Sequence, residues 1–477
     1  MVSAVSARAA RGQARPVRGR DILGIYTFMI FSWMFDFRAD SAGSGLMVQL
    51  VFFTCYLIGF FLFLVRDNGG RMKVPGLLPL LSASGLFVLI GLLSGLLNGQ
   101  TYYDIFRNSF TLIIYITAVI VTVRLIEQVD ARNIRPRLAW LCFGFSLSSL
   151  AVLMATTGVD LSSVRFQILG ASTLSSMGYL VLSLLFTLTL PETATLLASL
   201  GLVFLSITRT LFVTQFFQLL PAWPALYRLM TPRVLISALI GVAVLAGAAT
   251  LTSTAFDRWN QRMFRNGDTR EDPTAYTRRV ETEFMLEHWL HDGQSVMLGT
   301  GLASRTEYYE PKWVGGAKEE SIGFGHDQHV SILFIAGLIG GVPLLLVHFW
   351  QLWASMQFIY RVASRTKRYK NDVLFLGCWG ATGIIGHVVS NFLQADFGNR
   401  GVSLWYGITT GLFLGARACL DRRNSFLSEV HEDLQPQLAT TAAAPARQHP
   451  AAAASVPAAV QRRRQMLARL REKAPTP

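Results

Sequence analysis

Apolar runs follow one another along almost the whole chain, broken by short polar links that hold most of the charge. Before the one long polar interruption they fall at Ile22–Phe35, Gly45–Val65, Gly76–Leu97, Ser109–Val123, Leu138–Thr156, Gly170–Leu190, Thr193–Ser206, Leu211–Leu220 and Val234–Ala255. After it they fall at Val330–Trp353, Leu374–Phe392 and Val402–Ala418. Many reach the roughly 20 residues a helix needs to cross the hydrocarbon core. The pattern therefore predicts an all-α polytopic membrane protein with about twelve transmembrane helices. The links put nearly every basic cluster on one side: Arg66–Lys73, Arg124 to Arg137, Arg228 and Arg233, Arg361 to Lys370, and Arg422 with Arg423. By the positive-inside rule that side is the cytoplasm, with both termini inside.

The expected division is a basic cytoplasmic N-terminus (1–20), nine transmembrane helices (21–255), a large outer loop (256–329), three further transmembrane helices (330–420) and a cytoplasmic tail (421–477). The first apolar run follows five arginines and has no small-residue cleavage site, so it reads as an anchor and not as a removed signal. From about Glu429 the tail is rich in Ala, Pro, Gln and Thr, which predicts disorder. Within it, Val460 to Lys473 has helical spacing and a basic face that suits either an anionic inner leaflet or solvent.

Composition sharpens the class. The 477 residues are 52% hydrophobic and 15% charged. The formal charge of +14 is uneven: from Thr252 to Val330 nine basic residues face thirteen acidic ones, a balance of −4, which leaves +18 for the rest. That asymmetry reports topology before it reports nucleic acid, and no nucleic-acid partner is expected. The four cysteines lie in or beside apolar runs, which points to packing and not to a disulfide framework or a thiolate metal site.

The polar loop concentrates the candidate chemistry. It holds His288, His291, His326 and His329, the pair Arg278–Arg279, and the aromatics Tyr308, Tyr309 and Trp313, which suit sugar stacking or loop packing. His326 and His329 stand three apart where the loop meets the next apolar run. Three readings compete there: a metal shared with Asp327 or with His288 and His291, a general base that takes a proton from a hydroxyl near neutral pH, or a structural role. Arg209, with apolar sequence on both sides, must face a wet cavity, an anion or the lipid head groups. Arg165 and Arg400 stand in other outer links. Guanidinium forks grip phosphates bidentately and remain charged, so they can neutralise a diphosphate where other enzymes use a divalent metal. Gly299 and Gly301 in LGTGLAS read as a turn, since no P-loop lysine follows.

The order of these features resembles the O-antigen ligase and polysaccharide polymerase superfamily of bacterial inner membranes. The match rests on SITR ending at Arg209, on Arg279-Val280-Glu281, on the Gly299–Gly301 turn, and on His326 placed fourteen residues before Gly340 of GLIG. The segment beginning at Arg165 resembles the family's as well, and the likeness runs from about Arg165 to Ala418. At the loop end the family carries His-Asn where this chain has His326-Asp327, which favours the polymerase branch over the ligase branch. The resemblance implies a periplasmic loop and a glycosyltransferase that uses a polyprenyl-diphosphate-linked glycan and no cofactor or metal. His326 would be the base, and Arg279 and Arg209 would hold the leaving diphosphate. Arg165, Arg278, His329 and Arg400 would help bind substrate. The expected partners are lipid-linked donor and acceptor, the membrane, and chain-length and export proteins. A lipid-linked sugar flippase is a further possibility; its ionisable residues would sit near mid-membrane, where this sequence has few charges.

Overall fold

A computed structural model describes residues 16–31, 45–67, 73–157, 178–206, 209–229, 273–309, 316, 318–365, 369–392 and 395–442. The described chain is mostly helical: α1 (Pro16–Phe31), α2 (Gly45–Arg66), α3 (Leu77–Leu97), α4 (Tyr102–Gln128), α5 (Ala131–Thr157), α6 (Tyr179–Leu185), α7 (Leu190–Ser206), α8 (Arg209–Leu219) and α9 (Trp223–Leu229). Then come α10 (Pro273–Trp289), α11 (Gly293–Leu298), strands β1 (Arg305–Tyr309) and β2 (Lys318–Ile322), α12 (Gln328–Ala336), α13 (Val342–Ala363), α14 (Asp372–Ser390) and α15 (Arg400–Ala442). The strands pair antiparallel, Arg305 opposite Ile322 and Tyr309 opposite Lys318. Residues 1–416 form one compact unit and 417–477 a second.

Four described helical runs are long and apolar enough to cross a membrane: α3, α4, α12 with α13, and α14. Large apolar side chains stand exposed along them and along α2, among them Phe61, Leu78, Leu97, Leu346 and Trp353. An apolar exterior of this extent belongs against lipid. Inside, packing relies on small residues. Gly407, Gly411 and Gly415 form a stripe on α15 that meets α4. A methyl on Gly411 would lie 2.6 Å from Thr122 Cβ and 2.9 Å from the Val119 carbonyl. Without a hydrophobic drive between helices in lipid, such close approach supplies the attraction.

Several expectations need correction. The run Val330–Trp353 is not one straight span. The ring of His329 lies 5.2 Å from that of Phe349, whereas twenty residues of continuous helix would separate them by about 30 Å. The chain folds back between them. It leaves α12 at Gly337 (φ 57°, ψ −159°) and passes through a wide π-type turn over Gly337–Gly341 into α13. A left-handed φ of this kind favours glycine, and a methyl at Gly337 would also sit 2.6 Å from the Gly299 amide. The expected run Gly170–Leu190 ends early, because the chain leaves α6 at Phe186 to bridge Tyr369. Helix α15 continues to Ala442, where disorder was expected from Glu429; Leu, Glu, Gln and Ala there are good helix formers. The run Val234–Ala255 and the basic stretch Val460–Lys473 lie outside the described residues.

Charge also enters the bundle where the sequence pattern placed it in a solvated link. Arg135 is largely buried. It donates to both Glu192 oxygens at 2.5 and 2.8 Å, to Asp372 at 3.0 Å and to the Thr187 carbonyl at 2.9 Å. Its guanidinium stacks 3.8 Å above Phe375. This fully bonded knot ties α5, α7 and α14 together at the end remote from the loop, and satisfies charges that would be costly to bury alone.

Candidate functional site

The site is built from both ends of α12. At its start, Asp327 is the N-cap: its Oδ1 accepts from the His329 and Val330 amides at 2.9 and 3.1 Å. Ser331 Oγ accepts from the Gly325 amide at 2.9 Å and donates to the Asp327 carbonyl at 2.7 Å. At its end, the Phe334 and Ile335 carbonyls accept from the Thr300 and Gly301 amides at 2.8 and 3.0 Å. The Gly299–Gly301 turn is therefore a clasp on the C-terminal end of α12. It is stitched in turn to α3, with Ser94 Oγ donating to the Gly299 carbonyl at 2.5 Å. Both orphan ends of the short helix are satisfied, so the segment before it is held rigidly.

That segment carries His326. Its Nδ1 lies 2.7 Å from Glu281 Oε2, and the same oxygen accepts from the His326 amide at 2.8 Å. Glu281, on α10, is completely buried, while the His326 side chain is 43% exposed. A carboxylate can only accept, so Nδ1 carries the proton and Nε2 presents a lone pair on the exposed edge. Gly325 makes room for the pair, because a methyl there would lie 2.9 Å from Glu281 Oε1. Asp327 feels the same environment: burial raises its carboxyl pKa, partly offset by the capping N–H bonds.

Helix α10 sorts the two loop arginines. Successive residues turn about 100°, which puts Arg278 about 60° from Glu281 and Arg279 about 160° away on the opposite face. Arg278 is half-buried. Arg279 is half-exposed, pairs with Glu283 at 3.1 Å and lies 5.4 Å over the Tyr276 ring.

The start of α12 also meets the loop end of α14. Gln328 donates its amide to the Asn391 carbonyl at 2.9 Å and accepts from the Phe397 amide at 2.8 Å, which joins the start of α12 to the link before α15. Arg400 opens α15, 5.9 Å from the Phe110 ring. Helix α8 runs antiparallel to α14: Gln218 donates to the Thr382 carbonyl at 2.9 Å, and a methyl on Gly386 would meet Thr214 at 3.6 Å. The side chain of Arg209, and all of Arg165 and Trp313, lie outside the described residues.

His329 does not share a site with His326. It is buried against Phe392 and Phe349, with Nε2 3.2 Å from the Val388 carbonyl. His288 stacks on Phe284 at 3.8 Å, and His291 is exposed. Among the described residues no three His, Cys, Asp or Glu side chains are placed to hold one metal ion. Tyr308 is buried and Tyr309 is exposed.

The sequence reading missed Glu281 as a working residue, although it stands in the Arg-apolar-Glu element. A usable signal was there: Glu281 shares a face of α10 with the buried Met285, four residues on. It also missed a second carboxylate–histidine pair, His387 Nδ1 with Asp396 Oδ2 at 2.7 Å, both fully buried. No protein-family model matches this chain, and no curated protein matches it.

Proposed function

We propose that this chain is a membrane glycosyltransferase that joins polyprenyl-diphosphate-linked oligosaccharide units into an exported polysaccharide on the outer face of a bacterial inner membrane. The observation that carries the reading is the Glu281–His326 pair, a histidine whose tautomer is set by a buried carboxylate and whose free nitrogen faces outward. In the proposed reaction His326 Nε2 takes the proton of an acceptor sugar hydroxyl. The hydroxyl oxygen bonds to the anomeric carbon of the donor glycan, and the bond from that carbon to the diphosphate breaks with its electron pair. Glu281 stabilises the imidazolium that forms. Guanidinium groups neutralise the departing polyprenyl diphosphate. Arg278, on the Glu281 side of α10, is proposed for this ahead of Arg279, with Arg209 and Arg400 as the further guanidinium groups of the reading. This chemistry draws its positive charge from arginine and needs no metal or organic cofactor.

Transfer of the finished glycan to a lipid A-core acceptor uses the same chemistry. A flippase is a second reading, and one observation favours it: contrary to the expectation of a nearly charge-free interior, His348 and the His387–Asp396 pair are buried in the bundle. Product analysis in cells separates the three. Cells with His326→Ala at normal protein level should accumulate single lipid-linked repeat units exposed on the outer face. Accumulation of lipid-linked polymer would point to a ligase, and of units trapped on the inner face to a flippase; either would overturn the proposal.

A further inference from the structure

Helix α13 carries a polar stripe that the proposed chemistry does not use. His348, Gln351 and Ser355 lie within about 60° of one another around the helix, and all three are completely buried. Both ring nitrogens of His348, both amide atoms of Gln351 and the Ser355 hydroxyl have no hydrogen-bond partner among the described residues. The stripe faces more of the same. The His348 ring lies 5.4 Å from that of Tyr406, and His387 stacks on Tyr406 at 4.8 Å. The Tyr406 hydroxyl and His387 Nε2 are also buried without a partner among the described residues. Asp396 occupies His387 Nδ1 at 2.7 Å, so that imidazole has its remaining nitrogen to offer.

Seven polar atoms on three helices are thus buried without a partner among the described residues, and the rings of His348, Tyr406 and His387 lie against one another in turn. Buried polar groups in native proteins are satisfied by protein or by internal water, and a polar site with several donors and acceptors is the kind that holds water. Apolar side chains would pack α13 at lower cost, so chance packing accounts poorly for five such atoms on one stripe. We infer that the α13 stripe, Tyr406 and His387 form a binding site for a cluster of water molecules inside the membrane, a hydrated chamber in which the two histidines are the proton-exchanging groups. The inference does not depend on the glycosyltransferase reading.

Internal water can be read directly by brief X-ray radiolysis of the intact protein in lipid nanodiscs, with oxidation mapped by mass spectrometry. Radicals made from bound water oxidise side chains that bulk solvent cannot reach. Tyr26 is the matched control, since it is equally buried but its hydroxyl is bonded to Thr122 at 2.8 Å. Tyr406 should be oxidised about fivefold faster than Tyr26 or more. The double variant Gln351→Leu with Ser355→Ala should lower the Tyr406 rate towards that of Tyr26, because it removes three of the seven polar atoms that hold the water. Equal rates for Tyr406 and Tyr26 in the wild-type protein mean a dry interior and would overturn the inference, whatever the variant does.

Discussion

At the scale of single residues, position on a helix face decides more than residue type. Arg278 and Arg279 are adjacent in sequence, yet about 100° of helix separates them, and only Arg278 shares the side of Glu281. A bidentate hold on diphosphate uses the planar fork, so lysine keeps the charge and loses the paired bonds. Arg278→Lys should lower polymer formation about tenfold or more, equivalent to ~1.4 kcal/mol of transition-state binding. Arg279→Lys should do less, because its present contacts, Glu283 and a tyrosine face, tolerate an ammonium. The reverse ranking in a polymer-yield assay would return the diphosphate role to Arg279. Asp327 caps α12 through its carboxylate, and an asparagine would cap as well. The cost lies in charge. The Asp327 carboxyl has a raised pKa in the fold, so the native state holds that proton to higher pH than the unfolded chain does. Its favourable share of stability is therefore complete below the ordinary value of 3.8 and is lost as pH rises through the raised one. Asp327→Asn keeps the cap and drops the charge. Melting curves across pH should show the variant gaining on the wild type as pH increases over that window; a constant difference would mean that the carboxyl is not desolvated.

At the scale of elements, the hairpin of α12 and α13 and the glycine stripe of α15 were both present in the sequence and unequally visible. Mean hydropathy sums over a window and cannot distinguish a straight helix from one folded on itself. Gly337, Gly340 and Gly341 in the middle of the run were the local sign of the bend. The stripe Gly407, Gly411 and Gly415 is spaced four apart and reads directly as a close helix contact. Gly411→Leu would push a branched side chain into Thr122 and the Val119 carbonyl, costing about 1–3 kcal/mol as overpacking. The expected result is a lower melting temperature and less protein in the membrane; an unchanged melting curve would mean that α4 and α15 do not meet as described.

At the scale of the whole molecule, the sequence carried the helical, apolar class, because that depends on local runs. The apolar helices were legible in that way. The partners of His326 and Arg135 were not, since Glu281 is 45 residues from one and Asp372 is 237 from the other. Such pairs are made by packing, and no periodicity records them. The buried histidines of α13 and α14 escaped for a related reason: one polar residue in an apolar helix barely changes its average hydropathy.

The central claim is that a Glu281-oriented His326 transfers glycan from a polyprenyl diphosphate with arginine in place of metal. Its most direct test is turnover by the purified protein in detergent, supplied with lipid-linked repeat units and a metal chelator. No bilayer separates two compartments there, so transport alone produces nothing. Wild-type protein should extend the glycan at the same rate with and without chelator. His326→Ala should lose activity by orders of magnitude, and Glu281→Gln by on the order of 10²-fold or more while still folding. Absence of product from folded wild-type protein, or activity abolished by chelator and restored by zinc, would contradict it.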